Sequence, residues 1–372
     1  MIFERTSKTI FCSRNRFRRQ SLVSDLTRWY QKYHRDLPWR KTKDPYKIWV
    51  SEIMLQQTQV STVIPYYHRF LEAFPDINSL AAAPVTKVLA QWSGLGYYRR
   101  ARYLHLGARY ITRKCQKFPD SPTEISKIPG IGPYTAGAIL SIAFDLPTPI
   151  VDGNVQRILS RIFGIKSPLE DKQTQRKFWT IAEALVSRSK RPSLFNQAMM
   201  ELGATVCLKS NPRCTPCPVS RQCVARIRGW QEQLPVKRDA PPISKLFWIK
   251  YIWEKDGKVW LTKNTQRGWW QGLWDLPGIE LSSQSEIATH VKRVLKTPGI
   301  KSYRALRSYK HSVTRYRIHV TPYHLVTKIK PDLPLPGRWI RVGSISRMPV
   351  SSLVAKVMSG LIRSDNKLVN FV

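Results

Sequence analysis

The spacing of apolar residues changes once along this chain, and that change limits the folds that it can adopt. From Ser21 to about Arg228, apolar residues recur mostly at helical spacing, and Pro and Gly breaks separate the segments. Residues 229–245 bring charge, prolines and a loss of period, which is typical of a linker. Residues 246–372 contain two β-rich runs around a Lys-Asp-Gly turn, a further strand (YRIHVTPYHLVTKI) and an amphipathic helix (EIATHVKRVL). We therefore expect an all-α domain, a linker and a smaller α+β domain, with residues 1–20 as a basic flexible arm.

The charge balance indicates the class of partner. Lys and Arg number 62 against 24 Asp and Glu, which gives a formal net charge of +38. Such a field draws polyanions to the protein surface before any specific contact forms, although a generally basic proteome is an alternative explanation. No apolar run is long enough to span a bilayer, which disfavours a membrane. We expect a nucleic acid as the partner and, since nothing in the sequence indicates oligomerisation, a monomeric protein.

Four of the six cysteines form the pattern C-x6-C-x2-C-x5-C, at Cys207, Cys214, Cys217 and Cys223. Four thiolates this close together match a 4Fe–4S cluster, which takes one sulfur ligand at each iron. Zinc is the alternative, but zinc ribbons usually bring two short C-x2–4-C knuckles, and only Cys214 and Cys217 form one here. Disulfides are less expected because no signal peptide precedes the chain. The spacing predicts a metal-cluster loop over residues 207–223.

The segment IPGIGPYTAG predicts a tight Pro-Gly turn between two helices. Gly130 and Gly132 permit a positive φ and a close approach of another backbone. The next helix should begin near Pro133, so that its first amides can face a phosphate. Such a turn can be purely structural, but the basic composition favours DNA binding. We expect Gly130, Ile131 and Gly132 to contact phosphates through their backbone.

Several motifs together resemble a known family. LPWR, DPYKIWVSEIMLQQTQV, WSGLGYYRRAR, IPGIGPYTAG, VDGNVQRI and FNQAMMELGATVC all resemble the adenine DNA glycosylases, the MutY branch of the helix-hairpin-helix glycosylase superfamily. The likeness runs from about Leu22 to Arg228, and the cysteine spacing is similar to the iron–sulfur cluster loop of that superfamily. The resemblance implies an all-α helix-hairpin-helix glycosylase domain that excises adenine opposite 8-oxoguanine or guanine during base excision repair.

Two carboxylates fit the chemistry that the resemblance implies. Asp152 lies in an Asp-Gly-Asn sequence, which ordinarily forms a turn or caps a helix, and Glu52 lies on an apolar helix, where a lone glutamate usually stays at the solvent edge. Adenine is a poor leaving group unless its ring is protonated, and a carboxylic acid with a raised pKa can supply that proton. By the resemblance Glu52 is this acid. Asp152 is the carboxylate that stabilises the positive charge developing on the sugar, or bonds to it transiently.

The resemblance also implies the groups around the two carboxylates. Tyr134 and Asn154 would support them through hydrogen bonds. Arg35, Trp39 and Gln197 would line the pocket for the flipped adenine. Without the surrounding motif, Trp39 would be read as ordinary core.

Three further residues would act on the DNA duplex. Gln57, Leu95 and Tyr97 would fill the space that base extrusion opens, and such wedges offset a flipping cost of about a few kcal/mol. Leu95 and Tyr97 by themselves are equally compatible with a buried core.

Position 134 separates two branches of the superfamily. Endonuclease III-like enzymes have a lysine here, whose amine attacks the sugar and then cleaves the strand through a Schiff base. Tyr134 carries no amine, and neither do its neighbours Pro133 and Thr135. We therefore expect base release without efficient strand cleavage.

The C-terminal domain resembles the Nudix-like domain of the same branch, and GLWDLPG matches its Leu-Trp-x-x-Pro-Gly turn. The acidic helix that a Nudix pyrophosphatase needs for magnesium is missing from SSQSEIATHVKRVL, so we expect no nucleotide hydrolysis. In that branch a Phe-Ser-His loop reads 8-oxoguanine, and the matching residues here are Val313, Thr314 and Arg315. We expect lesion recognition by Thr314 and Arg315, with the hydroxyl kept and the aromatic ring lost.

Two alternative functions remain open at this stage. A thymine–guanine mismatch glycosylase can carry Tyr and Asp at positions 134 and 152, although the Glu52 segment and the C-terminal domain are evidence against it. A non-catalytic, redox-responsive iron–sulfur DNA-binding protein would need neither carboxylate. The missing export signal and the DNA substrate together predict a cytoplasmic, nucleoid-associated location.

Overall fold

The computed structural model describes residues 13–368, except 116, 239–241, 266–267, 332 and 334–335. These residues form two compact units. The first contains the described residues before Ala83 together with those from Tyr103 to the linker, and the second contains Ala83–Arg102 together with the chain after the linker. Within this described part of the chain, no helix combines the length and the apolar character needed to cross a bilayer.

Helices and short 3₁₀ turns account for the regular structure before the linker. The α-helices are α1 (Ser13–Tyr33), α2 (Pro45–Leu55), α3 (Val60–Ala73), α4 (Ile77–Ala82), α5 (Val85–Gln91), α6 (Arg99–Lys114), α7 (Pro122–Ile125), α8 (Pro133–Phe144), α9 (Gly153–Phe163), α10 (Lys172–Val186), α11 (Pro192–Thr205) and α12 (Val224–Arg228). The 3₁₀ turns are Pro38–Arg40 and Ser220–Gln222. The helical character predicted between Ser21 and Arg228 is therefore confirmed.

The start of α1 corrects one prediction. The sequence analysis assigns residues 1–20 to a flexible arm, but α1 already begins at Ser13. Arginine is a good helix former, and no Gly or Pro interrupts the chain between Ser13 and Tyr33, so the basic residues continue the helix backwards. Residues 1–12 of the predicted arm, with Cys12, lie outside the described residues.

Five helices pack together in the core of the first unit. Helix α11 packs against α1, α8 and α9, and α2 packs against α8. Trp49 of α2, Phe70 of α3, Phe178 of α10 and Leu202 of α11 are at most 1% exposed. Burial of each such side chain contributes about 1.5–3 kcal/mol, and this packing fixes the ends of α2, α8, α9 and α11 relative to one another.

The second unit is built on an eight-stranded sheet. Its elements are β1 (Ser244–Lys255), β2 (Lys258–Lys263), β3 (Trp274–Asp275), β4 (Gly278–Leu281), α13 (Glu286–Leu295), β5 (Ile300–Ala305), β6 (Tyr309–Val313), β7 (Tyr316–Thr327), β8 (Gly337–Arg341), a 3₁₀ turn (Val342–Arg347) and α14 (Ser352–Leu368). The strand order is β3-β2-β1-β7-β5, with β4 paired to β1, β6 to β7 and β8 to β2. Strands β1 and β7 run parallel, and the other pairs of named strands are antiparallel.

The local predictions for this unit are confirmed. Asp256 and Gly257 form the turn between β1 and β2 with φ values of 51° and 67°, which suits a two-residue hairpin turn. The strand predicted from YRIHVTPYHLVTKI and the helix predicted from EIATHVKRVL are β7 and α13. Strand β1 begins at Ser244, just inside the segment predicted as a linker, and Ile249, Trp253 and Leu325 lie in the core.

Candidate active site

A cavity of about 830 Å³ opens in the first unit, at the level where α2, α8, α9 and α11 approach one another. Its volume lies in the usual range of small-molecule sites, about 300–1,000 Å³. Ten of the predicted site residues line it: Arg35, Trp39, Glu52, Gln57, Gly130, Gly132, Tyr134, Asp152, Asn154 and Gln197.

Glu52 is more buried than Asp152, the other carboxylate of the predicted pair. Helix α2 begins at Pro45, and the side chain of Asp44 caps it by accepting a hydrogen bond from the Tyr46 amide at 2.9 Å. Glu52, two turns further on, is only 5% exposed, and its Oε2 accepts a hydrogen bond from the Tyr134 hydroxyl at 2.9 Å. Burial raises the pKa of Glu52 to about 7, although the bond from Tyr134 opposes this. Glu52 can therefore hold a proton near neutral pH.

Asp152 combines a structural role with a place in the cavity. It is the N-cap of α9, and its Oδ1 accepts a hydrogen bond from the Val155 amide at 2.8 Å. Asn154 Nδ2 approaches the other oxygen at 3.4 Å. Burial raises the pKa of Asp152, while backbone hydrogen bonds such as that from Val155 favour the ionised form. The ordinary reading as a helix cap is thus correct, and the carboxylate faces the cavity as well.

Arg157 is a residue that the sequence analysis missed. Its Nη2 donates to Asn154 Oδ1 at 2.9 Å and to the Gly203 carbonyl at 2.8 Å. Its Nε donates to the Cys207 carbonyl at 2.9 Å. One guanidinium therefore links the residue beside Asp152 to the start of the cysteine loop. The only available signal was its position three residues after Asn154, one helical turn away.

Glu201 is the second residue that was missed. It is fully buried on α11, and its carboxylate accepts two bonds from the Arg35 guanidinium at 2.8 Å and one from Arg40 at 2.7 Å. Burial alone would raise the pKa of Glu201, but these hydrogen bonds outweigh it and lower the pKa to about 2. Arg35, predicted as a pocket residue, thus lines the cavity while paired to a fixed anion.

Trp39 and Gln197 also lie at the cavity with defined partners. Trp39 is 7% exposed and meets Tyr67 edge to face, with ring centroids 5.5 Å apart. Gln197 Oε1 accepts a hydrogen bond from the Tyr30 hydroxyl at 2.8 Å, and its Nε2 donates to Ser193 at 3.2 Å. These contacts fix the orientation of the Gln197 amide.

The predicted hairpin is present, and its two glycines differ in conformation. Gly130 has a φ of +85°, and a Cβ added there would lie 2.5 Å from Cβ of Tyr103. Gly132 has a φ of −91°, so it does not adopt the positive φ that a glycine permits. Gly132 instead precedes α8 in an extended conformation, because the helix begins at Pro133 as predicted and needs an extended N-cap. The Ile131 amide donates to the Ile128 carbonyl at 3.1 Å, and its side chain is 8% exposed.

The three predicted wedge residues have different environments. Gln57 is exposed at the cavity with a φ of 57°, and Tyr97 is 46% exposed with a φ of 46°. Non-glycine residues rarely adopt this conformation, and it is often found at functional sites. Leu95 is 6% exposed, as the core reading requires, and it lies with Tyr97 in the second unit.

Hydrogen bonds within the second unit hold the loop that carries Leu95 and Tyr97. The Tyr98 hydroxyl donates to the Val350 carbonyl at 2.8 Å and accepts from the Gly94 amide at 3.2 Å. Tyr98 is 3% exposed, so both bonds are shielded from water.

The four predicted metal ligands line one common cavity of the first unit: Cys207, Cys214, Cys217 and Cys223. Among the described residues, no three His, Cys, Asp or Glu side chains converge closely enough to hold a single ion. Four thiols around one cavity fit a larger group with one sulfur at each corner, as the chemistry of a 4Fe–4S cluster requires. Burial raises the pKa of the free Cys217 thiol to about 12, so a thiolate there needs a bound cation.

A buried arginine holds the backbone of this loop. Arg161 is 2% exposed and donates to the carbonyls of Leu208 at 2.5 Å, Lys209 at 3.1 Å and Leu234 at 2.9 Å. Its Nη1 also lies 3.4 Å from Sγ of Cys207. The charge of Arg161 is thereby placed next to one of the thiols.

Thr314 and Arg315 form the tip of the hairpin between β6 and β7. Both are exposed, and Thr314 adopts a φ of 50°. Val313 pairs with Tyr316 across the turn. The predicted lesion-recognition residues thus lie at an exposed turn of the second unit.

Comparison with known proteins decides the family. Residues 50–184 match the family model of the HhH-GPD superfamily base excision DNA repair proteins, and residues 249–360 match that of the NUDIX domain. An adenine DNA glycosylase of Buchnera aphidicola from Acyrthosiphon pisum is 38% identical over 297 residues, which cover 79% of this chain and 83% of the relative. The chain belongs to the adenine DNA glycosylase family. The fold predicted from the sequence, a helix-hairpin-helix domain followed by a Nudix-like domain, is confirmed by these matches.

Further members of the adenine DNA glycosylase family and one solved structure agree with this assignment. The human adenine DNA glycosylase is 45% identical over 219 residues, which are 56% of this chain and 40% of the human protein. A thermostable thymine-DNA glycosylase of known structure superposes with a TM-score of 0.53 at 28% identity, covering 57% of this chain and 98% of that protein. The structural likeness supports the helix-hairpin-helix fold of the first unit.

Proposed function

We propose that this chain hydrolyses the N-glycosidic bond of adenine mispaired with 8-oxoguanine or guanine in duplex DNA and leaves an abasic site. One observation carries the proposal: Glu52 and Asp152 line the same cavity in different electrostatic environments. Glu52 is buried against the neutral phenol of Tyr134. Asp152 instead accepts a hydrogen bond from the Val155 amide at the N-terminus of α9. Environments of this kind assign an acid and a charge-stabilising role to two carboxylates.

The first step is proton transfer from Glu52 to the ring of the extruded adenine. Because the pKa of Glu52 is about 7, a large fraction of the enzyme carries the proton at neutral pH. The bond between the sugar and the base then breaks, its electron pair leaves with the protonated base, and positive charge develops on the sugar. Tyr134 holds the Glu52 carboxyl in place for this transfer.

Asp152 stabilises the sugar cation until water adds to it. The Val155 amide and Asn154 hold the Asp152 carboxylate in position, so no reorganisation is needed as the charge develops. Arg35, Trp39 and Gln197 line the pocket for the base. The exposed backbone at Gly130 and Gly132, before the N-terminus of α8, holds the flanking phosphate, while Gln57, Leu95 and Tyr97 occupy the space left in the duplex.

The enzyme releases the base without cleaving the strand. Tyr134 carries no amine and therefore forms no Schiff base. Burial raises the pKa of Tyr134 well above its usual value, so the phenol stays neutral. Borohydride trapping should therefore give no stoichiometric protein–DNA adduct. Formation of such an adduct would contradict this part of the proposal.

The cysteine loop holds a 4Fe–4S cluster through Cys207, Cys214, Cys217 and Cys223. When bound, the cluster acts structurally, because four protein thiolates leave no open coordination site for hydrolysis. Arg157 and Arg161 tie the backbone of this loop to α9, the helix that begins after Asp152. Duplex DNA as the substrate is consistent with the proposed cytoplasmic, nucleoid-associated location, and we propose that the protein acts as a monomer.

The domain after the linker, over residues 246–372, reads the base opposite the adenine, with Thr314 and Arg315 at the exposed hairpin. The hydroxyl of Thr314 can donate to or accept from a base edge. If Thr314→Ala leaves the processing of A:8-oxoguanine and A:guanine pairs unchanged, this role is excluded.

Single-turnover excision on duplexes carrying A:8-oxoguanine, A:guanine, T:guanine and A:T tests the function. We expect strand breaks only after alkali and only in the adenine strand of the first two duplexes. Excision from T:guanine would assign the chain to the thymine–guanine alternative. If no duplex is cut while Glu52→Gln and Asp152→Asn bind DNA as the wild type does, the chain is a binding protein.

A further inference from the structure

Aromatic side chains gather beside the tip of the β6–β7 hairpin in the second unit. The ring of Trp269 lies 5.0 Å from that of Tyr316 and 6.4 Å from that of Trp248, measured between centroids. Trp270 lies behind them, 5.0 Å from Trp248 and 5.9 Å from His311. Tyr316 and His311 belong to β7 and β6, the strands of the hairpin itself.

Trp269 differs from its neighbour in exposure. It is 38% exposed, whereas Trp270 is 8% exposed. Packing against Tyr316 and Trp248 thus fixes the indole of Trp269 but leaves part of it open to solvent. A large aromatic residue held rigidly in this way loses little conformational entropy when it binds a flat ligand.

One cationic side chain, that of Arg315, lies against the Tyr316 ring on which Trp269 packs. The Arg315 guanidinium lies 5.2 Å from the Tyr316 ring and its Nη2 3.2 Å from the Tyr316 hydroxyl. The nearby carboxylate of Glu280 accepts a hydrogen bond from Trp248 Nε1 at 3.1 Å. Aromatic faces beside such a cation are the combination that binds bases and phosphates of nucleic acids.

We propose that Trp269 is the stacking face of a nucleobase-binding site, with Arg315 placed against the adjacent phosphate. This site rests on the proposed function, because the strand that it would hold is the one opposite the excised adenine. Trp269 supplies the aromatic ring that position 313, a valine, lacks at the hairpin tip. Stacking does not depend on the hydrogen-bonding edge of the base, so the site adds affinity while Thr314 adds selectivity.

A DNA-binding measurement tests the site. The full chain is titrated into fluorescently labelled duplexes that carry a non-hydrolysable fluorinated adenosine opposite 8-oxoguanine or guanine, and binding is followed by fluorescence anisotropy. Trp269→Leu keeps an apolar side chain for packing but removes the aromatic face. We expect this substitution to weaken the affinity for both duplexes by a similar factor, about 5- to 150-fold. The slope of log affinity against log salt concentration should not change. Trp269→Phe should retain most of the affinity.

Arg315→Gln tests the proposed phosphate contact, and Tyr303→Ala is the matched control. Arg315→Gln should lower the salt slope by about one, which separates a phosphate contact from stacking. Tyr303 is 57% exposed and pairs with Leu325, near the far end of β7 from Tyr316, so its replacement should not change binding. Thermal unfolding of each variant checks that the second unit remains folded.

Two results would overturn the site. One is unchanged DNA binding by a folded Trp269→Leu variant. This result would mean that the indole serves in packing or in contact with a protein partner, not in binding DNA. The other is an equal loss in Trp269→Leu and Tyr303→Ala. If the wild type excises no adenine, the proposed function fails, but the binding comparison still decides whether Trp269 contacts DNA.

Discussion

The Tyr134 hydroxyl donates to Oε2 of Glu52 at 2.9 Å, so a residue at the start of α8 contacts a residue inside α2. Burial raises the pKa of both groups, which keeps the phenol neutral and lets the carboxyl retain a proton near neutral pH. Tyr134, from which the sequence analysis predicted base release without strand cleavage, is thereby also the direct partner of the proposed acid.

Excision should depend on the protonation of Glu52. The acid acts only when protonated, so the single-turnover rate should fall as the pH rises through about 7. Glu52→Gln should lower the rate by about 10²–10⁴-fold. Quenched-flow measurement across this pH range checks both, and a wild-type rate that does not fall above pH 7 would contradict the assignment.

Tyr134→Phe should move this pH dependence. The hydrogen bond from Tyr134 favours the ionised form of Glu52, so its loss should raise the pKa of Glu52 further. The alkaline limb of the pH–rate profile should shift to higher pH, because the acid stays protonated longer. A profile of unchanged position in a folded Tyr134→Phe variant would show that the bond has no influence on the acid.

Asp152→Asn should separate catalysis from folding. Asparagine caps a helix about as well as aspartate, so the hydrogen bond from the Val155 amide and the stability of α9 should survive. Loss of the charge should slow excision by about 10²–10³-fold. Excision assays and thermal unfolding of the same preparation test this, and equal losses of stability and activity would point to a purely structural Asp152.

Glu201→Gln should destabilise the fold in a pH-dependent way. Loss of the carboxylate leaves Arg35 and Arg40 without their anion, at a cost of roughly 3 kcal/mol in unfolding free energy. The pKa of Glu201 is lowered from 4.5 to about 2, so its contribution is present above pH 4.5 and is lost as the pH falls towards 2. Denaturant unfolding at neutral and acidic pH should show a smaller difference from wild type in acid.

Tyr98→Phe should loosen the loop that carries Tyr97. The ring stays buried, but the hydroxyl bonds to Val350 and Gly94 are lost. The Val350 carbonyl keeps its bond from Ser93 Oγ at 3.2 Å, so we expect a cost of about 0.5–1.5 kcal/mol. We expect slower base extrusion, measured with a fluorescent adenine analogue in the duplex. Tyr33→Phe, at an exposed tyrosine, is the control, and identical extrusion rates in both variants would exclude this role.

Much of the local structure was predictable because short-range chemistry controls it. The Asp256–Gly257 turn and the start of α8 at Pro133 follow from residues that favour particular φ values. The start of α1 was missed because basic residues resemble a solvated arm as much as a helix. Glycine permits several conformations at position 132, and the helix that follows selects the extended one.

The site was predictable only in part. Motifs placed Glu52 and Asp152 correctly at one cavity, but they did not indicate the partners of either residue. Arg157 contacts the cysteine loop through a residue 50 positions away, and Arg35 contacts Glu201 at a separation of 166. Contacts at these separations depend on how helices pack, which a single sequence does not encode in any local pattern.

Glu52 and Glu201 show which properties the sequence determined and which properties the tertiary structure determined. The sequence by itself determined that each is a carboxylate on a largely apolar helix, since side-chain type and helical period are local properties. Only the tertiary structure decided their charges. Glu52 is buried against a phenol and its pKa rises to about 7, whereas Glu201 is buried against two guanidinium groups and its pKa falls to about 2. Burial penalises a charge unless an opposite charge from elsewhere in the chain reaches it, and only folding brings that charge close.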